Sequence, residues 1–232
     1  MQMILSTTPV TRCESLAQYT VGALRRFVVL FAPPPEKAAQ LLATADALEA
    51  GIDVLSSRQS EYRAHVLACI GPRLEVKLVD LKADTEVRHS KLAVDAVSKT
   101  ASFAVFPDGI TPIVKPVGQS EVDGLRALEG RMTASASHWP DATAWQGRIA
   151  SVRVLYETAL KSRTDAMSAA ANARALRNAA KEDFVTLYAK ANGAIKMIFP
   201  RERAVQDIFF DEVRGAAGED AEPDDAEPVT GA

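Results

Sequence analysis

Between Arg148 and Asn192 the chain contains neither proline nor glycine, and through that stretch apolar side chains return at steps of four and three. The series runs Trp145, Ile149, Val152, Tyr156, Ala159, Arg163, Ala166, Ala170, Ala173, Arg177, Ala180, Phe184, Leu187, Ala191, Ala194 and Ile198, and all but the two arginines are apolar. Such spacing lines one side of a helix and favours lengthwise packing against other helices. Residues 141–198 therefore read as one helix of roughly 87 Å at ~1.5 Å per residue. Two forms stay open: a continuous rod, or a rod broken near residues 168–178 into two shorter helices.

The same rhythm occupies two earlier segments. Leu41, Ala45, Leu48, Ile52, Leu55, Gln59, Tyr62, Val66 and Cys69 form one seam, and Val76, Val79, Ala83, Val87, Ser90, Val94, Val97, Ala101 and Ala104 form a second. Gly71-Pro72 lies between them and reads as a tight stop. Residues 33–105 are thus expected to fold as a long αα-hairpin. Before it, residues 1–32 hold an N-terminal helix over Thr11 to Phe31 with Leu16, Tyr19, Ala23, Phe27 and Phe31 inward, ended by Pro33-Pro34-Pro35. Residues 106–140 form a Pro/Gly-rich crossover with a short helix near Ser120 to Met132. Ile110, Ile113, Val114 and Val117 are expected to pack along the bundle. The unit closes with residues 141–214, where Pro200 separates the long helix from an amphipathic one carrying Val205, Ile208, Phe209 and Val213 on its stripe, with Phe210 just off it.

Aromatic residues make up only 6% of the chain, and alanine is abundant, a balance that suits close helix packing better than sheets. The expected class is all-α: an elongated antiparallel, coiled-coil-like bundle in one domain. Residues 215–232 carry Glu219, Asp220, Glu222, Asp224, Asp225 and Glu227 with no Lys or Arg, leaving +3 for the rest of a chain whose net charge is −3. That composition reads as a disordered acidic tail.

Cys13 and Cys69 lie in no metal-ligand or redox spacing, which points to a reducing compartment. The most apolar run, Phe27 to Ala32, falls far short of the ~20 residues that span a bilayer. A cytoplasmic protein without membrane insertion is the expectation.

The chain has three histidines, His65, His89 and His138, so metal chemistry is easily tested. Glu86-Val-Arg-His89 matches half of a di-metal bundle motif, but no second E-x-x-H exists. In a hairpin, His65 and His89 would stand ~16 Å apart along the axis. No metal and no cofactor is expected. Nucleophile elbows, phosphate-binding loops and dinucleotide fingerprints are also absent, so an enzyme is disfavoured, though a site dispersed around the crossover and His138 would leave no local signature.

Two surfaces draw attention. The helix over 141–198 has net charge +4, and Arg174, Arg177 and Lys181 are its candidates for phosphate contact. Arg163 and Arg177 lie in the seam itself, where a guanidinium needs an acidic partner or an opening to water. At the other end, Ile208, Phe209 and Phe210 form a candidate interaction site, because adjacent phenylalanines cannot all face one core. The leading expectation is a non-enzymatic helical interaction or structural protein that binds another protein or itself. A nucleic-acid-associated bundle using the basic face is the alternative.

Overall fold

The computed structural model describes residues 4–211. Among them are eight helices and no strand: α1 Val10–Phe31, α2 Pro35–Ala68, α3 Ile70–Val97, α4 Lys99–Val105, α5 Thr111–Val114, α6 Gln119–Ala134, α7 Ala142–Ile198 and α8 Arg203–Ile208. The protein is all-α, as the periodicity requires, and α7 is continuous through residues 168–178. Val213 and the acidic stretch 215–232 lie outside the described residues. The helices gather into two compact units, residues 4–64 with 171–211, and His65–Ala170. Each has its own hydrophobic core, and α7 supplies side chains to both.

In the first unit, α1 ends where Ala32 enters the left-handed region at φ 42° and its N–H bonds to the Val28 carbonyl. Pro33 and Pro34 cannot continue a helix, whereas Pro35 opens α2, where a missing N–H costs nothing. The chain reverses, and α1 and α2 form an αα-hairpin tied by Arg25, which bonds Asp46 at 2.9 Å and Glu49 at 2.6 Å. The last part of α7 runs antiparallel to α2: Lys37 lies over the Phe199 ring, Gly51 meets Leu187 and Phe184, and Arg177 covers Tyr62. Leu16, Leu24, Leu41, Leu48, Leu55, Phe184, Tyr188 and Ile195 fill the centre. Burying each such leucine is worth about 1.5–3 kcal/mol. Thr20 donates to the Leu16 carbonyl and accepts from the Tyr188 hydroxyl, both at 3.1 Å, so neither buried hydroxyl is stranded. Tyr19 and Phe31, expected inside, are 44% and 65% exposed.

The second unit departs more from the expectation. Gly71-Pro72 does not stop a helix, because both residues lie in the first turn of α3, where backbone N–H groups have no partner within the helix and proline loses nothing. Only Cys69 separates α2 from α3, and it too has right-handed helical dihedrals (φ −71°, ψ −16°). The two seams expected to close on each other within residues 36–105 are shared out: the apolar core of α2 belongs to the first cluster and that of α3 to the second. What was expected as one helix beyond residue 72 breaks at Ser98, which is extended (φ −163°, ψ 134°) and caps α4 by accepting from the amides of Thr100 and Ala101. Lys91, Asp95 and Ser102 close that corner, with Ser102 donating to Asp95 and Lys91 bonding both. These bonds hold the Asp95 carboxyl below its usual pKa. Helix α6 packs antiparallel to α7 through Arg153–Glu129 and Arg126–Glu157. Leu125, Leu128, Met132 and Trp139 are sealed inside, whereas Val117 is exposed.

The buried side of α7 does not hold the strict four-three rhythm. From Phe184 onward the core takes Tyr188 and Ile195, leaving Leu187 and Ala194 half-buried. A straight helix turns every 3.6 residues and drifts ~20° per heptad from a 3.5-residue repeat, so one stripe cannot stay inward over its length.

Gly51 marks a close helix contact, since a Cβ there would lie 2.5 Å from Leu187 Cδ2 and 3.2 Å from Phe184 Cδ2. A Gly51→Val variant is expected to lose about 1–3 kcal/mol through overpacking, read as a lowered midpoint in urea. An unchanged midpoint would show that α2 and α7 are less closely fitted at this position.

Candidate functional site

The residues singled out from the sequence occupy unlike environments. Phe209 and Phe210 are 0% and 3% exposed. Phe209 meets the rings of Phe27 and Phe199, and Phe210 meets Tyr188. Adjacent phenylalanines thus do share one core, because α8 ends at Ile208 and the chain beyond it is not constrained to helical spacing. Ile208 is the exposed one, its carbonyl accepting from the Tyr19 hydroxyl at 3.3 Å.

Arg177 is buried, with its guanidinium 4.6 Å from the Tyr62 ring centroid and bonded to the Asn178 side chain. The aromatic face and amide take the place of the acid that a seam arginine was expected to need. It does not face solvent for phosphate contact, and Arg174 and Lys181 beside it are half-buried. His65 is half-buried and His89 and His138 exposed, and among the described residues no three His, Cys, Asp or Glu side chains are placed to hold a metal. Cys13 is sealed in the first core, where burial pushes its thiol up to about 11. A thiol so protonated is a poor nucleophile.

Two features of the second unit were not read from the sequence. One is a buried carboxyl cluster where α3, α6 and α7 meet. Tyr156 donates to Asp80 at 2.8 Å and accepts from the Gly118 amide at 3.1 Å. Gly118 takes a φ of +71° to turn the chain into α6, a backbone conformation that glycine reaches without steric cost. Glu121, 1% exposed, lies against Asp80 with its Oε2 lacking a hydrogen-bond partner. Burial, the bond to Asp80 and the charges of Asp80 and Asp84 together raise Glu121 to about 8. Asp84 is raised as well, by burial and by Asp80, against the opposing influence of Arg88. With the acids so close and Arg88 reaching only Asp84, Glu121 keeps its proton at neutral pH.

The other feature is on the outside. Leu67, Ile70, Leu74, Leu78 and Leu81 are each more than half exposed. At 100° per residue they fall within an arc of about 80° on the outer side of α3 and the last turn of α2. A second apolar surface lies in the first unit, where Tyr19, Leu30, Phe31 and Ile208 line a shallow groove of about 410 Å³.

The raised Glu121 sets the sign of a pH dependence. Below its unfolded pKa of 4.5 both states hold the proton. Between there and about 8 only the folded chain does, so stability falls as pH rises and levels off above 8. Glu121→Gln is expected to be more stable than the parent by on the order of 2 kcal/mol at pH 7.5 and nearly equal to it at pH 4.5. Denaturation midpoints across that range check this, and a difference that does not vary with pH would refute the buried proton. No protein-family model matches the chain, and no curated protein and no solved structure is similar to it.

Proposed function

We propose that this chain is a non-enzymatic helical interaction protein, and that it engages its partner through the outer stripe of α3. The carrying observation is the row Leu67, Ile70, Leu74, Leu78 and Leu81 left open to water on a helix whose opposite side, Ala83, Val87 and Val94, is fully packed. Amphipathic helices bury one side, and a helix apolar on two sides has a second surface to cover. The row exposes on the order of 500 Å² of apolar surface, towards the upper end of the ~300–600 Å² that the largest patch on a monomer covers, a size that is often functional.

Arg73, Glu75, Lys77 and Lys82 flank the row and take part in none of the ion pairs among the described residues. A charged border around an apolar centre is the usual anatomy of a protein contact. Asp84 of the carboxyl cluster borders one flank of the row, where it pairs with Arg88. Among the described residues no helix is long and apolar enough to cross a membrane, so a lipid-embedded role for the stripe has no support.

Amine-reactive cross-linking in the native cell tests the reading. Lys77 and Lys82 are expected to link to a second polypeptide, and Leu78→Lys should abolish those links without shifting the unfolding midpoint, since Leu78 is 58% exposed. Lys161, 76% exposed, is the internal control. If Lys77 and Lys82 carry only unlinked reagent, as a freely exposed lysine does, α3 is not the contact surface.

A further inference from the structure

The order of charges along α3 is antisymmetric. Arg73, Glu75 and Lys77 read plus, minus, plus; Asp80, Lys82 and Asp84 read minus, plus, minus. Reflection about the midpoint between Leu78 and Val79 converts every charge into its opposite: Arg73 into Asp84, Glu75 into Lys82, Lys77 into Asp80. Leu74 and Leu81 stand on either side of Leu78 near the same place, while Leu67 and Ile70 extend the row towards the start of α3. A two-fold axis crossing the helix there would set each of these charges level with an opposite one on the other chain.

The helical positions agree with that axis. Glu75 and Lys82 fall on one flank of the apolar row, and Arg73 and Asp84 on the other. When two copies of a helix pair antiparallel about a perpendicular two-fold axis, like flanks meet, so Glu75 comes beside Lys82 of the other copy. By symmetry that makes two ion pairs beside one apolar seam, while Asp84 on the other flank is held by Arg88 of its own chain. Parallel pairing sets each charge level with its own duplicate.

Resting on the interaction reading above, we propose that the partner of this stripe is a second copy of the chain, paired antiparallel through α3 with Leu78 at the two-fold axis. The apolar centre of that contact is Leu74, Leu78 and Leu81, each more than half exposed. Glu75 and Lys82, which take part in none of the ion pairs among the described residues, then have their partners on the other copy.

Sedimentation equilibrium on the full chain, with two charge reversals made singly and together, tests both partner and direction. The wild-type chain is expected to dimerise. Glu75→Lys and Lys82→Glu should each weaken the dimer about tenfold, and the double variant should recover most of the loss, because the reversed pair attracts again. A double variant weaker than either single one would overturn the antiparallel arrangement, since only like flanks meeting across the axis can restore the pair. A wild-type chain that stays monomeric at ~50 µM would overturn self-association. In that event, cross-links from Lys77 to a different polypeptide in the cell, lost in Leu78→Lys, would leave the interaction reading standing, whereas their absence would remove both.

Discussion

One uninterrupted helix governs the structure. Over 57 residues α7 has neither proline nor an interior break, and it contributes a wall to both cores. A helix of that length cannot keep a heptad stripe inward without supercoiling, and the core accommodates the drift by changing which residues it takes. Tyr188 and Ile195 replace the positions that a strict count would choose. The contacts then tighten or relax with the residues available, from Gly51, where the helices nearly touch, to Arg177, which is thick enough to require an aromatic platform.

Polar groups inside the second unit fall into two kinds. At the Ser98 corner, Lys91 balances Asp95 and every hydroxyl has a partner, so the bend between α3 and α4 is built from satisfied charges. Around Glu121 the charges are less evenly matched: Arg88 reaches Asp84, and Glu121 itself is held neutral by its proton. Replacing that carboxyl by an amide removes a standing electrostatic cost, which marks the cluster as a place where the fold tolerates strain that a purely apolar contact would avoid.

Much of the architecture was legible in the sequence. Side chains at three- and four-residue spacing announced the helices, and Pro33-Pro34-Pro35 announced the first reversal. The inward positions Leu125, Leu128 and Met132 of α6 were readable for the same reason. Partner choice was not, because two adjacent seams carry no mark of whether they face each other or a third helix. Gly71-Pro72 misled, since proline breaks a helix in its interior but is harmless in its first turn, and nothing local told the two cases apart. Ser98 was missed because a serine cap without a nearby proline or glycine resembles an ordinary surface residue. Phe209 and Phe210 share one core because helical spacing stops at the end of α8, a boundary that their spacing does not reveal. The Glu121 cluster joins residues 80, 84, 121 and 156, and no spacing rule connects positions so distant in the chain. The outer stripe of α3 follows the same three- and four-residue spacing as the inner one, and spacing alone does not tell an exposed stripe from a buried one.

Between Ala159 and Ala173 no residue of α7 is fully buried. Past Leu160, which packs against the second core, that stretch is held by its backbone ladder, helped by the i,i+4 pair of Lys161 and Asp165, which is worth only a few tenths of a kcal/mol. Helices ordinarily exchange amide protons fastest at their ends, where hydrogen bonds fray, and slowest at the centre. In α7 both ends are clamped by cores and the middle is not, so its protection against deuterium should dip at the centre.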